Sequence, residues 1–190
     1  MKSYRDRYFE DYIAVPDPKR NGKIKYMYAG QYVEPFVEGK SLERWKIYMT
    51  AIELVSIIIF FATASMDVLF TYNNMAAGIG TLAVVPWILE IWSVFRFVVS
   101  KGCMKETDRQ SIARGMEAGA LIHGGLLFLM VIVGCFPVVR AGELGDNIIA
   151  ILGHLCMAFF SFTIWRLYKR VYYYTYRDDG KGKADEKWIK

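Results

Sequence analysis

The chain has little of what builds an enzyme centre or a metal site. It holds only two histidines and three cysteines. None of them recur at a ligand spacing, so no zinc site is expected. The cysteines give no disulfide framework: Cys135 and Cys156 fall in apolar stretches and Cys103 in a charged loop. Buried thiols mostly act as small hydrophobes, and a cytoplasmic thiol stays reduced. No phosphate loop, nucleophile–base arrangement or paired-acid motif is present, so the sequence points away from an enzyme and requires no cofactor. A cleavable signal peptide is also missing, because the first forty residues are polar and aromatic. The first apolar stretch is therefore expected to act as its own insertion signal.

Charge is nearly absent from four long stretches. The chain is 54% hydrophobic and 23% charged, and the two populations are segregated. Residues 47–66, 76–99, 118–139 and 148–167 each reach the ~20 apolar residues needed to cross ~30 Å of hydrocarbon. "ELVSIIIFFATASM" and "LLFLMVIVGCFPVV" lack the polar face that a helix of a soluble bundle keeps toward water. The sequence predicts an all-α polytopic membrane protein, with four transmembrane helices bundled as two in–out–in hairpins.

The net charge of +5 follows from membrane topology and not from nucleic acid, which is not an expected partner. Residues 1–46 hold ten Lys/Arg, 100–115 hold four and 168–190 hold seven, against Arg140 alone in 67–75 and 140–147. Excess Lys/Arg marks the cytoplasmic side, so both termini and the middle loop are predicted inside a cell membrane. Anionic headgroups would attract these segments by about 1 kcal/mol per basic residue near the surface.

Three regions follow. Residues 1–44 form a cytoplasmic N-terminal segment. Its β-prone runs at 12–15 and 24–28 flank Pro16, Pro18 and Asn21-Gly22 and read as a β-hairpin. Two strands alone are marginal in water, so the hairpin should pack on the membrane domain, the lipid surface or a partner. Residues 45–171 form the four-helix transmembrane domain, entered past a Ser41 cap. Residues 172–190 read as a cytoplasmic tail: its tyrosines anchor at the interface among basic residues, and its last residues look mobile.

Ionisable groups inside spans are functional-site hypotheses. Glu53 lies seven residues past Lys46 and Arg96 five before Lys101. Both are therefore near the inner interface, where an Arg96–Glu53 clamp could join the first two helices. Glu90 is eleven residues from Lys101, close to mid-membrane and too short to extend out. Six residues separate it from Arg96, or ~240° around a helix, so the two face different ways. His123, nine residues past Arg114, lies at a similar depth, and a Glu90–His123 hydrogen bond is geometrically possible. Pro86 removes a helical donor one turn from Glu90 and predicts a hinge. Gly115 and Gly119 share a face with His123, extended by Gly124 and Gly125, in a small-xxx-small spacing that lets a helix approach closely. His154 lies roughly 12 Å from His123 in depth, which argues against both ligating one haem iron.

Two readings stand. In the first, the chain is a non-enzymatic accessory or assembly subunit, docking through its glycine face and N-terminal hairpin on another membrane protein or on copies of itself. In the second, it is an oligomeric proton- or ion-coupled small-solute transporter using Glu90 with His123. Four short spans with a mid-membrane Glu resemble the small multidrug antiporters. Those carry that Glu in the first helix and lack a long N-terminal segment, so the resemblance stops at layout and carries no residue across.

Overall fold

The computed structural model describes residues 12–16, 24–28, 30–37, 41–100, 102–178 and 183–189. Four helices long and apolar enough to span a membrane dominate it. α1 (Leu42–Ala64) starts at Ser41, whose hydroxyl makes no capping bond. Its first turn is instead closed by Trp45 N–H on the Ser41 carbonyl at 3.4 Å. A one-turn helix, α2 (Leu69–Tyr72), precedes α3 (Asn74–Val99), which is capped by Asn73 Oδ1 accepting from Ala76 N–H at 2.9 Å. α3 runs unbroken through Pro86.

The third span is composite. α4 (Glu106–Arg114) passes into a π-helical segment, Gly115–Gly119, and then into α5 (Ala120–Ala141). Gly142, at φ 75°, turns the chain out of α5. In that left-handed conformation its N–H and that of Glu143 bond the Val139 and Val138 carbonyls, at 3.2 and 3.1 Å. Glycine adopts it without the penalty a Cβ would bring. α6 (Leu144–Tyr168) completes the set.

These helices form one compact unit, Val37–Ser100 with Gln110–Val171. α5 packs against α3 and α6, and α6 against α1, while α1 and α3 meet only sparsely. The first hairpin expected from the sequence closes sparsely: α1 packs more on α6 than on α3, and of the helices that follow one another along the chain α1 and α3 meet least. Its core includes Phe70, Ala83, Trp87, Leu127, Met157 and Ala158. Outward-facing Ile58, Phe61, Leu82, Val85, Ile132 and Phe136 are each more than half exposed. A water-soluble protein does not leave so broad an apolar surface uncovered. The chain has the form of a multi-pass integral membrane protein.

The strands belong to the second unit. β1 (Tyr12–Pro16) and β2 (Ile24–Tyr28) pair antiparallel, with Tyr12 opposite Tyr28 and Pro16 opposite Ile24. A four-stranded antiparallel sheet has the order β4 (Met104–Lys105), β3 (Gln31–Phe36), β5 (Tyr172–Asp178), β6 (Lys183–Ile189). Residues 172–178 and 183–189 are therefore strands and not a tail. Their pairing is nonlocal, Gln31 to Arg177 through Phe36 to Tyr172. A stretch rich in tyrosine and threonine becomes a strand once such a partner exists. Within this unit Lys105 Nζ donates to the Tyr12 hydroxyl at 2.8 Å and lies over the Tyr12 and Tyr28 rings, tying the hairpin to β4.

Candidate functional site: a buried acid–imidazole–hydroxyl cluster

Three helices converge on His123. From α5 its Nδ1 lies 2.9 Å from Glu90 Oε2 on α3 and 2.8 Å from Ser161 Oγ on α6. Glu90 is 0%, His123 1% and Ser161 3% exposed, so the cluster is shut off from bulk solvent. His123 Nδ1 thus links the Glu90 carboxyl and the Ser161 hydroxyl. Trp87, one turn before Glu90, stacks on the imidazole with centroids 5.5 Å apart and planes at 21°. From α1, buried Glu53 lies within electrostatic range of Glu90, on the side of Trp87. Glu53 Oε1, Glu90 Oε1 and Trp87 Nε1 are all buried and close no hydrogen bond with the described residues. The cluster therefore has spare bonding capacity in an apolar interior, where an unmade bond costs about 1–3 kcal/mol.

Backbone approach sets this geometry. A Cβ at Gly119 would stand 3.1 Å from the Pro86 carbonyl oxygen and 3.3 Å from Glu90 N. One at Gly115 would overlap the Ser93 side chain and stand 2.8 Å from the Leu89 carbonyl oxygen. These two glycines lower the third span onto α3 at Glu90. Gly124 serves the other side: a Cβ there would meet the Ala158 carbonyl oxygen at 3.1 Å, one turn from Ser161. The small-residue face is thus occupied inside the bundle, with Gly115 and Gly119 on α3 and Gly124 on α6. The π segment lies between the Gly115 contact and His123. Such one-turn insertions recur at functional sites because they shift the side chains beyond them around the axis.

The sequence brings Glu90 and His123 together, as depth matching allowed. It missed Ser161, eight residues before Lys169 and so at a matching depth. The Arg96–Glu53 clamp does not form. Arg96 Nη1 donates to Ser111 Oγ at 2.9 Å, while Glu53 faces Glu90. The inner tie between α1 and α3 is made by Lys46, whose ammonium donates to the Ser100 and Val98 carbonyls at 2.6 and 3.2 Å. A cation at a helix C-terminus satisfies carbonyls that have no partner in the helix. His154 stands apart, with Nδ1 2.8 Å from the Ala150 carbonyl of its own helix.

Chemically, the cluster is not a serine relay. Both Glu90 and Ser161 sit on Nδ1, whereas activating a hydroxyl needs it on the ring nitrogen opposite the acid. Among the described residues no three His, Cys, Asp or Glu side chains are grouped to hold a metal ion. What the arrangement can do is share protons among a carboxyl, an imidazole nitrogen and a hydroxyl, with a second carboxyl beside them. In comparisons with known proteins, no family model, no curated protein and no solved structure matches the chain. Fold and site together describe a protein of multi-pass membrane form with a buried carboxyl–imidazole–hydroxyl cluster among its helices.

Proposed function

We propose that the protein is a proton-coupled small-solute transporter of the cell membrane, with both termini cytoplasmic, in which Glu90 carries the coupling proton and His123 and Ser161 hold it in place. The observation that carries this reading is the fully buried Glu90–His123 contact at 2.9 Å with Glu53 beside it. A polar tie needs one donor and one acceptor. Two buried carboxylates left charged together would cost on the order of several kcal/mol per ion, so the cluster is built to hold a proton or a cation. Protonating the Glu90 carboxylate turns a charge-assisted bond to Nδ1–H into a neutral one, roughly halving its strength. That weakening acts beside the π segment, where the third span departs from regular helix, and one turn from Pro86, the setting in which helices bend.

Reconstituted vesicles with an entrapped pH dye test this reading, with candidate solutes applied under a pH gradient. Solute-dependent proton movement by wild type, lost in Glu90→Gln of equal helical content, is the expected result. A folded wild type that moves no protons under any gradient would sink the proposal.

A second reading, an accessory subunit docking on a membrane partner or on its own copies, draws on the strand unit, which gathers three separated chain segments into one sheet. Its support is a partner that survives detergent purification and is lost when residues 1–40 are deleted. Unchanged retention and unchanged oligomer size after that deletion would remove it.

A further inference from the structure

Between α1 and α3, the chain neighbours that meet least, lies a cavity of about 190 Å³. Its apolar wall comes from Phe60, Val84, Leu127 and Met130, and its polar groups from Thr71, Thr81 and His154. No charged side chain lines it. Ala64, Ala77 and Thr81 at its edge are exposed, so it opens between the last turn of α1 and the first turns of α3.

We propose that this cavity binds a small uncharged hydroxylated aromatic, of the phenol class, admitted from the bilayer between α1 and α3. A dry cavity of ~150 Å³ accepts benzene, so this one fits a single ring with a few further atoms. The rings of Phe60 and His154 and the Met130 thioether offer aromatic and sulfur contacts to such a ring. The polar groups select the hydroxyl. His154 Nδ1 faces the Ala150 carbonyl and must carry the proton there, which leaves Nε2 as a lone-pair acceptor. Thr71 lines the cavity and its Oγ1 is buried without a partner among the described residues, so a χ1 turn toward an occupant gains it one. A hydroxyl can donate to the imidazole and accept from the threonine at once, whereas a carboxylate or ammonium would enter without a counter-charge.

The cavity also touches the proton cluster through rings. Phe60 packs on Trp87 with centroids 4.9 Å apart, and Trp87 stacks on His123. That an occupant is the transported solute rests on the proposed coupling, but the binding site itself does not.

Fluorine NMR of the full chain in lipid nanodiscs tests the site, with para-fluorophenol as ligand, fluorobenzene as its hydroxyl-free counterpart and empty nanodiscs to subtract partitioning. The expected result is saturable para-fluorophenol binding, with fluorobenzene weaker by roughly 10–100-fold, the worth of two buried hydrogen bonds. Thr71→Val should weaken para-fluorophenol about 5–10-fold, part of the way to the fluorobenzene level, and Ala77→Phe, which fills the cavity from its exposed rim, should abolish binding of both. Binding should persist in Glu90→Gln, so a failed site and a failed proton coupling are read separately. Absence of saturable binding above empty nanodiscs, as when a lipid chain holds the cavity, would overturn the proposal. So would equal affinity for the two probes, or binding unchanged in both cavity variants with native helical content.

Discussion

At Gly115 and Glu90 single atoms set the packing. Because a Cβ at Gly115 has no room against Ser93 and Leu89, while one at Gly125 meets nothing within 4 Å, the two glycines should respond oppositely to alanine. Gly115→Ala is expected to destabilise the bundle by about 1–3 kcal/mol, the usual cost of overpacking, and Gly125→Ala to leave it unchanged within ~0.5 kcal/mol. Thermal unfolding in detergent measures both. Adding Ser93→Gly to Gly115→Ala should recover part of the loss, since the Leu89 carbonyl stays in place. In the cluster, Ser161→Ala removes one hydroxyl and should cost about 1 kcal/mol. His123→Ala should cost more, because it also opens a cavity beneath Trp87. Depth along a helix can be counted from the flanking charges, which is why the Glu90–His123 pair was legible from the chain. Azimuth between helices cannot be counted that way, so Arg96 was assigned to Glu53 when Ser111 was its neighbour.

At the scale of elements, the long helices were legible because apolar length is a local property. Their observed ends differ from the expected spans by up to five residues, except that the third begins twelve residues earlier, at Glu106. The interior departures were not legible. The π segment at Gly115–Gly119 depends on α3 accepting those glycines, and α2 depends on Phe70, fully buried where a Cβ on Gly134 would collide with its ring. The strands divide the same way. β1 and β2 announce themselves by turn residues between two short runs, whereas β3 and β5 lie far apart in the chain. Neither is a strand without the other. Hydrogen exchange distinguishes strand from tail: the amides of 172–178, which face β3 and β6 in turn, should be protected in the full chain. Deleting residues 30–37 should release those that face β3. Random-coil exchange across 172–178 in the full chain would contradict the sheet.

For the whole molecule, the segregation of charge from apolar sequence made a multi-pass protein legible before any coordinates. The outward Ile, Leu and Phe side chains agree with it. What composition could not convey is helix order. Among chain neighbours, α1 and α3 are the least packed pair, and the opening this leaves is the proposed entry for a ligand. The bias of twenty-one basic residues against one predicts sidedness, which thiol labelling of intact cells checks in a background lacking Cys135 and Cys156. A membrane-impermeant maleimide should miss Cys103 and reach Gly145→Cys, a position with open space around it. The reverse pattern would invert the topology. The central claim is that Glu90 binds and releases a proton within the bundle. Infrared difference spectra of the protein in lipid, taken between acidic and alkaline conditions, test it most directly. The account predicts a titrating buried-carboxyl band in wild type that is absent from Glu90→Gln, with the helical amide signal unchanged. No titrating band in wild type, or the same band surviving in Glu90→Gln, would contradict it.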